Sequence, residues 1–211
     1  MASQYWWQNG FGRNPLANIG EQEPYLEDKI WHFWNGENLT DLHYWTLKKY
    51  LGKDSPGLAM GLTFTTLTGI ELLDGSDSDG KWKFSLWDEA ADIGGIALWY
   101  LKHKYPDRVP LEVRVGIRRW DKFLLLFKRA AQFSSTFNTA QYGWSHMDNY
   151  SIFKTEVIIR PKNYWYGGLA ISCKTDSNGV GIPENLYGAT VGFDVMRYYA
   201  NKKAGEIHSL G

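Results

Sequence analysis

Residues 73–92, LDGSDSDGKWKFSLWDEAAD, lie where one predicted helix ends and the next begins. Before them runs the apolar segment 58–73, which contains Glu71 and is shorter than the roughly 20 residues that a membrane-spanning helix needs. We therefore expect a buried core helix that ends at Gly75. Ser85 and Asp88 form an S-x-x-D pattern, which is typical of a helix N-terminus. The stretch thus predicts two helices joined by an acidic turn.

The first of these helices has a recognisable start. Ser55 and Pro56 fit an N-cap and a first helical residue. Threonines at 63, 65, 66 and 68 leave a strand as the alternative, because β-branched side chains weaken a helix. The second helix is expected to run to about Lys104, before Pro106.

Apolar spacing predicts two shorter helices upstream, over about 26–35 and 40–51, with glycines 36 and 52 as their stops. Residues 1–25 lack periodicity and predict an extended, aromatic-bearing arm. The mid-helix pair Gly94-Gly95 predicts a close helix–helix approach, with the helix that carries Gly61 and Gly69 as the expected partner.

A further helix is predicted over about 116–133, from apolar residues at helical spacing. Residues 150–161 and 164–175 are β-branched and aromatic, and they predict a hairpin; residues 188–203 fit a third strand or a last helix. The predicted class is α+β, an N-terminal helical bundle followed by a small antiparallel sheet. The arm (1–25) precedes the bundle (26–135), and a β-rich portion (136–211) packs on it.

Composition excludes several function classes. The 211 residues have a formal net charge of zero, which argues against a whole-chain role in nucleic-acid binding. Cys173 is the only cysteine, so an intrachain disulfide and Cys/His zinc patterns are excluded, and we expect a small buried residue there. The start has no secretory signal and no lipid-anchoring cysteine, so we expect a cytoplasmic protein or a mature chain.

Charge is uneven along the chain. Residues 71–92 contain seven acids and two lysines, whereas residues 102–129 contain nine basic residues and three acids. The two segments either neutralise one another or leave a basic amphipathic helix, 114–129, suited to an anionic membrane surface. The predicted membrane or partner surface comprises Trp6, Trp7, Arg114, Arg118, Trp120, Lys122, Phe123 and Arg129.

Three pairs of acidic or histidine residues are spaced so that each pair lies on one face of its own predicted helix. Asp28 and His32 are four residues apart, so the carboxylate can orient the imidazole. Glu71 and Asp74 are three apart, and Asp88 and Asp92 four apart. Aligning the acidic turn to a calcium loop fails at two ligands, so Asp77 and Asp79 are expected to be solvated; an irregular calcium site formed by Asp74, Asp77 and Asp79 is the alternative.

Three motifs occur in the order DKIWHFWNG (28–36), TGIELLDG (68–75) and WKFSLWDEAADIGG (82–95). Together they resemble the YfiM-like family of envelope lipoproteins, which is distantly similar to VanZ-like membrane proteins. The resemblance covers about residues 28–100 and implies a compact helical bundle in the cell envelope, without supplying a function. It implies convergence of Asp28, Lys29, His32, Glu71, Asp74, Ser85 and Asp88. Asp92 departs from the family's usual Asn, and the export signal and lipid anchor are missing.

The leading functional prediction is a non-enzymatic structural or binding module of a membrane-associated or multi-subunit assembly, with other protein subunits as partners; a virion subunit is one form of it. The alternative is a metal-dependent hydrolase of a phosphate or ester. His32, Glu71, Asp74 and Asp88 would then bind a divalent ion, and Asp28 would orient His32. Carbohydrate binding by Trp165 and its neighbours is a third, generic possibility.

Overall fold

The computed structural model describes residues 11–20, 26–78, 83–106, 108–117, 153–160, 164–175, 181–195 and 198–199. Three helices precede a four-stranded antiparallel sheet, which confirms the predicted α+β class. The helices are α1 (Leu26–Leu51), α2 (Pro56–Gly75) and α3 (Leu86–Lys104), and the strands are β1 (Leu111–Ile117), β2 (Phe153–Ile159), β3 (Trp165–Thr175) and β4 (Gly181–Phe193).

Helix α1 is continuous, so the prediction of two shorter helices with a stop at Gly36 was wrong. Gly36 is buried, and a Cβ there would collide with the carbonyl oxygen of Asp92 on α3. The hydroxyl of Thr40 donates to the Gly36 carbonyl at 2.6 Å. The glycine is therefore a close-packing position inside the helix, a role that its residue type alone does not distinguish from a helix end.

Gly94 and Gly95 do lie at a close helix–helix approach, but their partner is α1. A Cβ at Gly95 would collide with the carbonyl oxygen of Phe33 and lie 2.8 Å from the backbone nitrogen of Glu37. A Cβ at Gly61 or Gly69 would meet nothing within 4 Å, so the predicted partner helix was wrong. The tightest packing in the bundle is between α1 and α3, which run parallel.

Helix α2 begins and ends where the sequence predicts. The Ser55 hydroxyl caps its start by accepting from the backbone N–H of Leu58 at 3.4 Å. Thr63 donates to the carbonyl oxygen four residues earlier, as Thr65 and Thr66 also do, so these threonines are accommodated in a helix.

Only one face of α2 is buried, and it repeats every four residues: Ala59, Thr63, Leu67, Glu71 and Gly75. Leu62, Phe64 and Ile70 are exposed on the remaining surface, so the helix predicted to be buried in the core is buried on one face. Among the described residues, no helix has the length and apolar character needed to cross a membrane.

The sheet has the strand order β1-β2-β3-β4, with each neighbouring pair antiparallel. The predicted hairpin is β2–β3, and residues 188–193 belong to β4. The sheet begins with β1 at Leu111, so residues 116–117 are strand and not the start of the predicted helix; residues 118–133 of that helix and the predicted boundary at 135 lie outside the described residues. Arg114 is therefore a strand residue that bonds to Glu112 at 2.7 Å; the other seven residues of the predicted membrane surface lie outside the described residues.

Residues 11–20, the described part of the predicted arm, pair with the connection between α2 and α3. Isolated bridges join Phe11 to Asp77 and Ile19 to Phe84, and a short 3-10 helix spans Pro15–Ala17. Asp77 is only 1% exposed, so the expectation that it is solvated was wrong. Asp79 lies outside the described residues, as does the side chain of Cys173, whose backbone belongs to β3. The arm segment therefore holds the turn that precedes Ser85.

Candidate metal centre

The site lies at the end of the bundle where α1 begins, α2 ends and α3 begins. Helix α2 runs antiparallel to both neighbours, so its last turns lie beside the first turns of α1 and α3. His32 of α1 is at the centre, and four carboxylates surround its imidazole: Asp28, Glu71, Asp88 and Asp92. All four acids are buried, whereas the His32 side chain keeps 23% of its surface exposed. The imidazole therefore connects a buried acidic cluster to solvent.

Two carboxylates face the Nδ1 atom of His32. Asp92 Oδ2 lies 3.2 Å from it, at hydrogen-bond distance, and Glu71 Oε1 lies 3.9 Å from it. The other oxygen of Asp92, Oδ1, is buried and has no hydrogen-bond partner in the described part of the chain. A buried carboxylate oxygen without a partner is costly, so we expect this oxygen to be satisfied by a proton or a cation.

The other two carboxylates face the Nε2 atom. Asp28 Oδ1 and Asp88 Oδ2 lie 4.0 and 3.9 Å from it. Their remaining oxygens both contact the ammonium group of Lys29, at 2.9 Å for Asp28 and 2.5 Å for Asp88. This side therefore already holds one protein cation, and Lys29 fixes the orientation of both carboxylates.

The start of α3 is built into the site. The Ser85 hydroxyl accepts from the backbone N–H of Asp88 at 3.2 Å, as the capping pattern predicts. The backbone N–H of Ser85 donates to Glu71 Oε2 at 3.1 Å, so a carboxylate from α2 supplies the reciprocal half of the cap. The Asp88 side chain, in turn, reaches Lys29 and His32. One backbone turn thus positions two of the four acids.

The pKa values of three site residues are raised. Burial alone would lower the pKa of His32, but the hydrogen bond to Asp92 and the charges of the surrounding carboxylates raise it to about 9. Burial raises the pKa of Glu71 to about 8, and it also raises the pKa of Asp92 against the opposing effect of His32. Without a metal, the Nδ1 side is therefore expected to hold protons at neutral pH.

Two three-residue sets in the described part of the chain have the geometry to bind a metal ion: Asp28, His32 and Asp88, and His32, Glu71 and Asp92. Ligand atoms at tetrahedral bond lengths lie about 3.4 Å apart. In the second set, Asp92 Oδ2 and Glu71 Oε1 lie 3.2 and 3.9 Å from His32 Nδ1, on either side of this value. In the first set, by contrast, Lys29 already contacts both carboxylates. The residues on the Nδ1 side are therefore the better set for a divalent cation. Asp28, Asp88 and Lys29, on the Nε2 side, are placed to orient the ring.

The structure brings together His32, Glu71 and Asp88 from the predicted metal set, together with Asp28. It does not bring in Asp74, which belongs to neither set; Asp74 is half-buried at the end of α2 and contributes to the raised pKa of Glu71. Asp92, which belongs to the second set, was not among the predicted metal residues. Its spacing from Asp88 was the available signal, and the alternative role of Asp88 as a capping residue obscured it.

Comparisons with known proteins add no relatives. No protein family matches the chain, and searches of curated proteins and of solved structures find no match. The similarity of residues 28–100 to the YfiM-like family therefore stays a prediction that rests on the three motifs, and any functional conclusion has to come from the site itself.

Proposed function

We propose that the chain is a metal-dependent hydrolase of a phosphate or other ester, with a divalent ion bound by His32, Glu71 and Asp92. The observation that carries this proposal is the Nδ1 side of His32, where two buried carboxylates converge and one of their oxygens has no hydrogen-bond partner among the described residues. Charge balance supports a cation here, because in the described part of the chain the four carboxylates surround one lysine and one histidine.

Three protein ligands leave coordination positions open, which is typical of catalytic rather than structural metal sites. When bound, a divalent ion supplies Lewis-acid activation of water and of the scissile group. A set of one histidine and two carboxylates suits Mn²⁺, Mg²⁺ or Zn²⁺. The partly exposed His32 ring gives the site a path to solvent. Asp28, Asp88 and Lys29 would orient the imidazole from its other side.

Metal binding by the full chain tests the first half of this proposal. Calorimetric titration with Zn²⁺, Mn²⁺ and Mg²⁺ should give one site, and Asp92→Asn should weaken it at least about 100-fold, beyond the effect usual for residues outside the ligand set. Asp54→Asn is the matched control, because this exposed acid lies at the other end of the bundle and pairs with Lys48. A chain that binds none of the three ions at millimolar concentration contradicts the proposal.

Hydrolysis of aryl phosphate monoesters, phosphate diesters and carboxylic esters tests the second half. The metal-loaded protein should hydrolyse at least one class, and Asp92→Asn should lose that activity while Asp54→Asn keeps it. If the metal binds but no ester is cleaved, the metal centre stands and the hydrolase assignment is wrong.

A second candidate is the non-enzymatic module of a multi-subunit assembly, for which the sheet offers an observation. Ile159 and Val191 both lie opposite Gly167, in one row across β2, β3 and β4, and Leu169 follows on the same face. All three apolar side chains are more than half exposed. Sedimentation velocity over a wide concentration range tests this candidate. It is supported if assembly occurs and Leu169→Ser weakens it, and a monomer at every concentration counts against it.

A further inference from the structure

The end of the bundle opposite His32 has a different surface chemistry. There α1 ends, α2 begins and α3 ends, as shown by Trp99 Nε1, which donates to Asp41 at 3.0 Å, and by His103, which packs 4.8 Å from the Tyr44 ring. From His32 to Leu51, α1 rises about 28 Å. This end therefore lies well away from the candidate metal centre.

Large apolar side chains protrude from the helix ends at this position. Tyr50 and Leu51, at the end of α1, are 65% and 62% exposed, and Leu58 in the first turn of α2 and Tyr105 just after α3 are also exposed. We call this surface, together with Lys49, Lys53, Lys104 and Arg108, the basal surface. Its apolar side chains lie at the ends of the three helices.

Cations surround these side chains. The ammonium group of Lys49 lies 4.5 Å from the centre of the Trp45 ring and 5.3 Å from that of Tyr50. Lys104 and Arg108 both lie over Tyr105, at 5.4 and 6.0 Å. The cationic groups thus lie beside the exposed aromatic rings. Long basic side chains of this kind cover an apolar surface with their methylene groups and keep their charge in water.

The charge of this end is positive. Residues 44–58 and 100–108 contain six basic residues and two acids, Asp54 and Asp107. Lys48 pairs with Asp54 and Lys102 pairs with Glu37, so the cations of the basal surface are Lys49, Lys53, Lys104 and Arg108. Asp54 pairs with Lys48 at 3.1 Å and accepts from the Tyr44 hydroxyl at 2.6 Å, so it is already engaged; Asp107 lies outside the described residues. A partner for this surface should therefore be anionic and should accept short aromatic and aliphatic side chains.

We propose that the basal surface binds peripherally to the anionic face of a lipid bilayer. Tyrosine and tryptophan favour the headgroup region, where the ring is apolar and its polar group stays wet, and lysines beside them attract anionic lipids. A second copy of the chain fits less well, because two such surfaces would place like charges together. This surface differs from the one predicted over residues 114–129, and the proposal does not depend on the metal centre.

Co-sedimentation of the full chain with vesicles tests this proposal. Vesicles of phosphatidylcholine with 30% phosphatidylserine are compared with pure phosphatidylcholine at low salt. Binding should require the anionic lipid and weaken as salt is added. Lys53→Glu removes one attraction and adds one repulsion, so at about five-fold per charge it should weaken binding about 25-fold. Leu51→Ser should weaken it at least about five-fold.

Matched controls separate this surface from general effects of charge and hydrophobicity. Arg13→Glu reverses an exposed charge at the opposite end, and Leu169→Ser removes an apolar side chain that is 61% exposed, close to the value for Leu51. Both controls should bind vesicles like the unmodified chain. The proposal is overturned if the chain does not prefer anionic vesicles, or if Lys53→Glu and Leu51→Ser bind like their controls. A dimer that Leu51→Ser dissociates, without vesicle binding, would assign the surface to a second copy and overturn it equally.

Discussion

The two ends of the helical bundle use charge in opposite ways. At the His32 end, four carboxylates are buried around one imidazole. At the basal end, the cations are exposed and lie over aromatic rings. The same three helices form both ends, so the helical framework does not dictate the difference. The end where the chain buries its acids is the end that also receives residues 11–20 and the Ser85 cap.

Burying acids is costly for a protein, since desolvation disfavours their charged form. The raised pKa values of Glu71 and Asp92 record this cost. Apolar residues at these positions would avoid this desolvation cost. The buried acids therefore indicate that the cluster is kept for a function and not for stability. The basal end bears no comparable cost, because its charges remain in water.

Replacing Gly95 by valine should have the largest effect, because it breaks the framework that both ends share. The new side chain would meet the backbone of Phe33 and Glu37, which cannot move aside as a flexible side chain would. Overpacking of this kind costs about 3 kcal/mol of unfolding free energy. Urea denaturation measures it, and Gly61→Ala is the control. Position 61 has open space, so alanine should stabilise the helix by up to about 1 kcal/mol. Equal effects at the two glycines would contradict the close α1–α3 approach.

The affinity for a metal should rise steeply with pH, which separates the His32 end from the rest of the molecule. Glu71 and His32, whose pKa values are raised to about 8 and about 9, must release their protons before they can bind a metal. Between pH 6 and 8 the apparent affinity should increase at least about ten-fold per pH unit. Calorimetry in buffers of different ionisation enthalpy would count the protons, and Glu71→Gln should release fewer. An affinity independent of pH would contradict the assigned ligands.

The metal-free protein should show the corresponding change in stability. Glu71 and His32 bind protons more tightly when folded than when unfolded, so they stabilise the fold at low pH. This stabilisation is lost as the pH rises above the unfolded pKa of Glu71, 4.5, and then through about 8 and about 9. Urea denaturation at pH 6 and pH 9 should therefore show a weaker fold at pH 9.

Local sequence signals predicted the helix boundaries at Ser55, Gly75 and Ser85 because capping and glycine stops act over one turn. Gly36 was misinterpreted because a glycine stop and a glycine contact look alike without the neighbouring helix. Strand β1 was missed for a similar reason. Its residues 116–117 continue into a segment with helical spacing, and the pairing with β2 comes from residues about 40 positions later.

The candidate site was predictable in part. His32, Glu71 and Asp88 come together as expected, since the order of three helices with short connections brings their ends together. Which carboxylates face which ring nitrogen could not be predicted, because it depends on the rotation of each helix about its axis. The contacts at Gly36 and Gly95 fix the rotation of α1 against α3, and Asp92 lies beside His32 at this approach.

The two ends of the bundle can also be compared through their serine N-caps, because Ser85 and Ser55 each accept a hydrogen bond from a backbone N–H in the first turn of a helix. Ser85 is buried, and its turn holds Glu71 and Asp88; Ser55 caps α2 at the basal end with a longer bond of 3.4 Å. Ser85→Ala should cost about 1–2 kcal/mol of unfolding free energy, and Ser55→Ala about 0.5 kcal/mol. Only Ser85→Ala should also weaken metal binding, as measured by calorimetry. If both variants left metal binding unchanged, the cap would not be part of the site.

The smallest expected effect belongs to His43, which lies about 16 Å along α1 from His32. Its Nδ1 lies 2.9 Å from the Thr63 hydroxyl, and burial lowers its pKa below 6.5. The folded state then binds this proton less tightly than the unfolded state, so the contribution of His43 to stability falls as the pH drops through 6.5. The sign is opposite to that of His32, whose contribution falls as the pH rises. Unfolding of His43→Gln and the unmodified chain should therefore diverge between pH 7 and pH 5, with the variant losing less stability on acidification. Identical pH profiles would mean that the contact between His43 and Thr63 does not depend on protonation.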